Sequence, residues 1–447
     1  MQLLYALRLY MKKRFAKYIA ILTLIPVLFL TGCGSNSVFE FNIMNELFAE
    51  FEEPEEPEAE TPSDYERPVP AEDMNEGYLN FSIELFKGSL TEGENCMISP
   101  ASVEFALVMA LNGAEGDTLT EMLTVLCPDA TTEEINAFVR DLDDMLTYSR
   151  SVDFHVANSM WCNETYLGNC LNETYANDLK ENMNTEAHML PFNNKAVEEI
   201  NNWVDENTNG MIPELLNEIP PEAAMYLINA IAFEATWSEP YEDYQIKEDR
   251  TFTNAAGEEE QARMLRQTGT LYLENDDATG FLKYYEGGEY AFIAMLPKEE
   301  GPIEDFITNM TAEDYMTFYK SLTREYDVVS ELPCFSYSYD VSMNDALKDM
   351  GMPTAFMDGI ADFPLMVTDE NVNLHISNVI HKTYIELDEN GTKAAAVTAV
   401  EMDMESCPEP EIREVKEVIL DRPFVYAIVD VRTGLPIFLG NVNSVAE

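Results

Sequence analysis

Apolar residues fall along this chain in runs of different period. Residues 18–30 form a mostly apolar run behind Lys12, Lys13, Arg14 and Lys17. The run is too short to cross a bilayer comfortably and has the basic lead of an export signal. Tyr78, Leu79, Phe81, Ile83, Leu85 and Phe86 mark a first helix. Ser99-Pro100 predicts a helix start, with a hydroxyl cap and proline at the first position. Val103, Leu107, Ala110 and Leu111 supply its apolar stripe. Residues 197–210 predict an amphipathic helix with Ile200, Trp203 and Val204 on one face, stopped by Gly210. Residues 226–233, 291–296 and 425–429 are nearly continuous apolar runs of strand length, as expected of strands buried on both faces. Arg432-Thr433-Gly434 predicts a turn that brings the chain back into the core at 437–439. No internal repeat is visible.

One stretch alternates strictly. Thr392, Ala394, Ala396, Thr398, Val400, Met402 and Met404 share one face. Lys393, Ala395, Val397, Ala399, Glu401, Asp403 and Glu405 share the other, which carries every charge. That is a strand with one buried face, and a one-residue slip would bury all the charges. Yet Glu389-Asn390-Gly391 before it reads as a turn, and Ser406-Cys407-Pro408-Glu409-Pro410 after it reads as an exposed loop. Ala394, Ala395 and Ala396 are poor strand formers. They suit a segment that slides between two existing strands, a strand not yet in its sheet.

The segment from Glu389 to Ala399 resembles the hinge of the reactive-centre loop of inhibitory serpins. His381-Lys382-Thr383-Tyr384-Ile385-Glu386 is similar to the strand that leads into that loop. Asn229-Ala230-Ile231-Ala232-Phe233 with Thr236-Trp237 resembles the family's central-sheet strand. Arg422-Pro423-Phe424, Thr433-Gly434 and Phe438-Leu439-Gly440-Asn441-Val442 resemble its C-terminal hairpin. Ser99-Pro100-Ala101-Ser102, Gly351-Met352 and Asp362-Phe363 fit in the same order. The resemblance covers residues 76–447. It implies an α+β fold of three β-sheets with eight or nine helices and an exposed reactive-centre loop.

The resemblance also implies a function and a set of site residues. The function is irreversible suicide inhibition of a serine protease by cleavage and insertion of the loop. A non-inhibitory serpin acting as a surface binding module is the alternative. The hinge would comprise Glu389, Gly391, Thr392, Ala394, Ala395 and Ala396, with Gly391 as a pivot of free φ. Thr392 would be the first side chain to go under the sheet, and it carries no charge. Ser99, Ser102, Asn229 and His381 would form the shutter, where the sheet parts, and Trp237 the breach, where the loop first enters. The family's usual spacing of fourteen residues, counted on from Gly391, places the reactive bond at Glu405-Ser406, with Met404 as the alternative. Met402, Cys407, Ile412 and Arg413 stay open, because the segment before Arg422 is longer than is common in the family. The protease would do the chemistry, so no enzyme activity and no cofactor are expected.

Charge and cysteine content narrow the partners. The formal charge is −57, and residues 1–32 carry five basic and no acidic side chains. Such a surface repels nucleic acid and anionic polysaccharide, so heparin-type activation is not expected. Leu30-Thr31-Gly32-Cys33 resembles a bacterial lipobox. It implies cleavage before Cys33 and lipid on its sulfur, which would anchor the protein outside a bacterial membrane. Residues 1–32 are then the signal, with Met11 as an alternative start. Residues 33–75 are an acidic, proline-broken linker and 76–447 the serpin domain. The other cysteines, Cys96, Cys127, Cys162, Cys170, Cys334 and Cys407, form no Cys-x-x-Cys pair, so no metal site is expected. His155, His188, His375 and His381 sit in no His-Glu-x-x-His or Gly-x-Ser-x-Gly motif. The resemblance implies a monomer that polymerises if its open sheet takes another molecule's loop.

Overall fold

The long apolar runs become the middle of three sheets. The structure, a computed structural model, describes residues 70–392 and 413–446 apart from 148, 150, 151, 169, 184, 270 and 370. The expectations for the signal, for Cys33 and most of the linker fall outside the described residues. So do those for Ala394, Ala395, Ala396, Met402, Met404, Glu405, Ser406, Cys407 and Ile412. All described elements lie in one compact unit, Arg67–Glu447.

The central sheet runs in the order Phe335–Ser342, Asn378–Leu387, Gly391–Thr392, Met225–Thr236, Asp153–Asn163 and Glu186–Leu190. A second six-stranded sheet takes Cys96–Ile98, Pro436–Val442, Phe424–Asp430, Tyr290–Pro297, Ala278–Tyr284 and Tyr272–Glu274. A four-stranded sheet takes Val415–Ile419, Asp327–Pro333, Glu259–Gly269 and Ile246–Thr253. Ten α-helices are described, one of them the single turn Glu164–Leu167, so nine remain when that turn is set aside. None is long and apolar enough to cross a membrane.

Local chemistry explains the element ends. Every residue of Phe424–Asp430 and Pro436–Val442 is buried. Their turn closes on Asp430, whose Oδ1 accepts from Thr433 N at 3.0 Å and Arg432 N at 3.2 Å. Gly434 follows at φ 74°, a conformation that favours glycine. The helix Pro100–Leu111 begins where Ser99 Oγ accepts from Ser102 N at 3.4 Å. The expected stripe understates its burial: all of its residues are buried, Glu104 included, because it lies between the central and second sheets. The first helix, Glu72–Gly88, starts ahead of residue 76, within the stretch read as linker. The amphipathic helix is Asn194–Asn207 rather than 197–210, because Asn193 caps it by accepting from Lys195 N at 2.8 Å. It buries Ile200 and Val204 on the outer face of the central sheet, with Tyr226, Ile228 and Ile380. Trp203 stays at the edge of that contact, half-exposed.

Candidate functional site

The central sheet is closed at one end and parted at the other. Asn378–Thr383 runs parallel to Tyr226–Ile231 and pairs with it directly. Beyond that point the two strands diverge, and Gly391–Thr392 stands between them. Thr392 pairs with Leu387 on one side and Ala235 on the other, and Gly391 pairs with Thr236.

A tight turn delivers these two residues. Asp388 Oδ1 accepts from Asn390 N at 2.7 Å and Gly391 N at 3.2 Å. Trp237 N donates to Asn390 O at 2.8 Å, its indole Nε1 donates to Asp388 O at 3.0 Å, and Tyr241 N donates to Glu389 O at 2.9 Å. Gly391 does not take a positive φ. The reason for glycine is space: a Cβ here would lie 2.0 Å from Ala235 O. Steric room, not a free pivot, is what the position demands. Thr392 is 2 % exposed, and its hydroxyl lies 2.7 Å from the buried Tyr285 hydroxyl. Tyr285 stacks on Trp237 with centroids 4.6 Å apart.

Charges flank the turn. Arg263 Nη1 donates to Glu389 Oε2 at 2.6 Å, which holds that carboxyl below its ordinary range. The same guanidinium reaches Glu248 at 3.1 Å and the Cys334 sulfur at 3.6 Å. Lys283 is buried, with Nζ 4.2 Å from the Tyr241 ring centroid and 5.4 Å from that of Trp237. It donates to Gln267 Oε1 and Glu239 O, and burial pushes its pKa down to about 8. Of this group the sequence marked Trp237, Glu389, Gly391 and Thr392. Tyr285, Tyr241, Arg263 and Lys283 carry no local pattern that marks them.

Lower in the sheet, His381 stands opposite Asn229 in the parallel register. The His381 side chain is fully buried, and its Nε2 accepts from Ser99 N at 3.0 Å. Burial pushes its pKa down to about 3, so the ring is neutral and Nδ1 carries the proton. Thr383 Oγ1 donates to Met97 O at 2.7 Å. Ser99 and His381 thus meet directly, Ser102 joins through Ser99, and Asn229 joins by backbone register; of Asn229 no side chain is described.

Among the described residues no group of three or more His, Cys, Asp or Glu could hold a metal ion. Cys96, Cys127, Cys162, Cys170 and Cys334 are free. Ser377, His375 and Asp358 stand near one another. Ser377 Oγ is 3.4 Å from His375 Nε2, and His375 Nδ1 is 3.8 Å from an Asp358 carboxylate that is mostly in solvent. Ser377 Oγ also accepts from Ala224 N at 2.9 Å. The Ser377–His375 and His375–Asp358 separations both exceed the reach of about 2.6–3.2 Å at which a nucleophile and its base engage.

Comparison with known proteins gives one answer. Residues 76–445 match the family model described as Serpin (serine protease inhibitor). An uncharacterized serpin-like protein of Thermococcus kodakarensis is 34% identical over 370 residues, covering 81% of this chain and 84% of that protein. The thermophilic serpin tengpin in its native state superposes with a TM-score of 0.78 at 36% identity, over 85% of this chain and 96% of tengpin. A thyroxine-binding globulin in complex with thyroxine has a TM-score of 0.73 at 26% identity, over 84% of this chain and 100% of its own.

Proposed function

The chain belongs to the serpin family, and on that premise we propose that it is a suicide inhibitor of serine proteases. Serpins are typically protease inhibitors rather than enzymes. The neighbour that binds thyroxine means that the fold alone does not decide the matter. The observation that carries the reading is the pair Gly391–Thr392, seated between Leu387 and the Ala235–Thr236 edge.

The register of that pair is in step with the sheet ahead of it. Six residues on from Thr392 is Thr398. Six back from Ala235 is Asn229, and six back from Leu387 is His381. Asn229 and His381 already face each other. A strand that continues from Thr392 therefore meets both neighbours without slipping and brings Thr398 between them. Its uncharged face follows Thr392 inward, and the charges stay in solvent.

The chemical step belongs to the protease. Its serine oxygen attacks the carbonyl of Glu405, or of Met404 if that bond is cut. The amide to the next residue breaks, the new amine leaves with a proton from the protease, and an ester remains. Cleavage frees the loop, which inserts and carries the protease roughly 46 Å over fourteen residues. Distortion of the protease before hydrolysis makes the trap irreversible. Strain held in the uninserted fold drives the step, a serpin device that is itself a standard example of such switches. We place the protein, by Cys33, on the outer face of a bacterial membrane, with the acidic linker between lipid and domain.

Incubation of the domain with elastase-like, glutamyl-specific and subtilisin-like proteases tests this reading. A complex that survives boiling in detergent, with the protease joined at Glu405 or Met404, supports it. Cleaved protein without any complex would favour the binding-module alternative.

A further inference from the structure

A second constellation lies away from the hinge, where the helix Asn194–Asn207 meets the outer edge of the central sheet. His188 lies flat on Trp161, with centroids 4.1 Å apart and planes at 13°. Trp203, from the helix, meets both edge-on, at 6.1 Å from Trp161 and 5.9 Å from His188. The Trp203 Nε1 donates to Glu186 Oε2 at 3.0 Å, and His188 Nε2 lies 3.1 Å from the same oxygen. These three rings line a cavity of about 370 Å³ together with Glu199 and Glu206, both exposed on the helix. No lysine or arginine lines it. Burial holds the His188 pKa below its ordinary value against the opposing pull of Glu186 and Glu199, so the ring is neutral at pH 7.

We propose that this cavity binds a small organic cation, an ammonium group on a short apolar body. Aromatic faces attract a cation through their quadrupoles, most strongly for tryptophan; the half-exposed Trp203 supplies the accessible indole, because Trp161 is buried beneath His188. Glu199 and Glu206 add unpaired negative charge at the mouth, and the neutral His188 does not repel the guest. An anion is excluded by the same carboxylates. A neutral apolar molecule of equal size forfeits both attractions. The volume is at the small end of ligand pockets and admits a guest of benzyltrimethylammonium size.

Position gives the site a consequence. Trp203, Glu199 and Glu206 belong to the helix, whereas Trp161 and His188 belong to the sheet. That helix covers Tyr226, Ile228 and Ile380, on the two strands that separate when the loop inserts. A guest that bridges helix and sheet edge restrains the separation and slows loop insertion. This consequence rests on the inhibitor reading; the binding itself does not.

Benzyltrimethylammonium chloride titrated into the full protein tests the site, with intrinsic fluorescence as readout, since Trp161 and Trp203 are two of the three tryptophans. The expected result is a saturable change with Kd on the order of 1 mM. Sodium chloride at equal ionic strength and benzyl alcohol at equal concentration should not reproduce it. Glu199→Gln with Glu206→Gln should weaken binding at least about fivefold, and acidification that protonates His188 should weaken it too. The absence of saturation, an identical curve with benzyl alcohol, or unchanged binding in the double variant would each overturn the site. Saturating ligand should also lower the rate of complex formation with a protease. An unchanged rate with binding intact removes only the coupling, and a protein that forms no complex at all fails the inhibitor reading while the binding result stands.

Discussion

The hydroxyls of Tyr285 and Thr392 lie 2.7 Å apart, both buried, and each is the other's partner where Gly391–Thr392 stands between the two central strands. A side chain here must be small and must end in a neutral polar group. Thr392→Arg would bury an unpaired charge, which costs far more than the insertion of two residues returns. It should turn the inhibitor into a substrate, read as cleavage without complex. Thr392→Val keeps the shape but strands the Tyr285 hydroxyl, at about 1–3 kcal/mol. It should raise the moles of inhibitor consumed per mole of protease without abolishing the complex.

Gly391 makes a sharper steric claim. A methyl group at this position meets Ala235 O at 2.0 Å and Thr236 Cα at 2.8 Å, both backbone atoms that have little room to yield. Gly391→Ala should push the hinge out of the sheet. Limited proteolysis within 389–400 should accelerate, and complex formation should fall in parallel. An Ala variant with unaltered proteolysis and inhibition would mean that the hinge does not occupy this slot in solution.

Two fully buried ionisable groups, His381 and Glu104, contribute to the dependence of stability on pH. The His381 pKa is pushed from 6.5 to about 3, so the folded protein binds fewer protons than the unfolded chain in that window. Stability is full above pH 6.5 and declines as pH falls toward 3. The Glu104 pKa is raised from 4.5 to about 8 by burial, and its Oε2 has no hydrogen-bond partner. The folded protein then keeps a proton that the unfolded chain has lost, and stability declines as pH rises from 4.5 to 8. Each contribution is at most on the order of 5 kcal/mol. The windows overlap between pH 4.5 and 6.5, where the two slopes oppose each other. Denaturant unfolding should therefore show a net decline from pH 6.5 to about 8, and Glu104→Gln should abolish that decline and uncover the rise toward pH 6.5.

His381 also bears on assembly. Its Nε2 takes the Ser99 N–H, and its strand is the one that pairs with Tyr226–Ile231 to keep the sheet shut. His381→Ala leaves that buried N–H unpaired and loosens the closure, at a cost of about 1–3 kcal/mol. On mild heating this variant should form loop-linked polymers at lower temperature than the parent, measured by native gel and light scattering. Equal onset temperatures would remove His381 from the control of opening.

The proposed anchor has its own test. Cys33→Ala should release the protein from the membrane fraction or block processing of its precursor. Unchanged fractionation together with an unlipidated N-terminus in the parent protein would refute lipid attachment.

Much of the architecture could be read because its signals are local. The helix start at Ser99-Pro100 and the turn at Thr433-Gly434 depend on neighbours within a few residues, and the buried strands on unbroken apolar runs. The alternation beyond Thr392 lies outside the described residues. What could not be read depends on distant partners. Tyr285 reaches Thr392 across 107 positions and Arg263 reaches Glu389 across 126, with no period to tie them. Gly391 was legible as a special position, but its reason, the close approach of Ala235 O, comes from the neighbouring strand. Trp203 fits the helical face that the pattern predicts, yet it stops at the sheet's edge and borders a cavity. Glu104 breaks the apolar stripe of its helix, and only the sheets on both sides bury it.

The central claim is that the segment after Thr392 becomes a strand between Asn378–Leu387 and Met225–Thr236. Melting curves of intact protein and of protein cleaved between Val400 and Arg413 test it most directly. Insertion adds a paired central strand on both sides and releases the strain of the parted sheet, so the cleaved protein should melt more than about 10 °C higher. Equal melting temperatures, with the cut confirmed by mass spectrometry, would contradict insertion and the inhibitory mechanism with it.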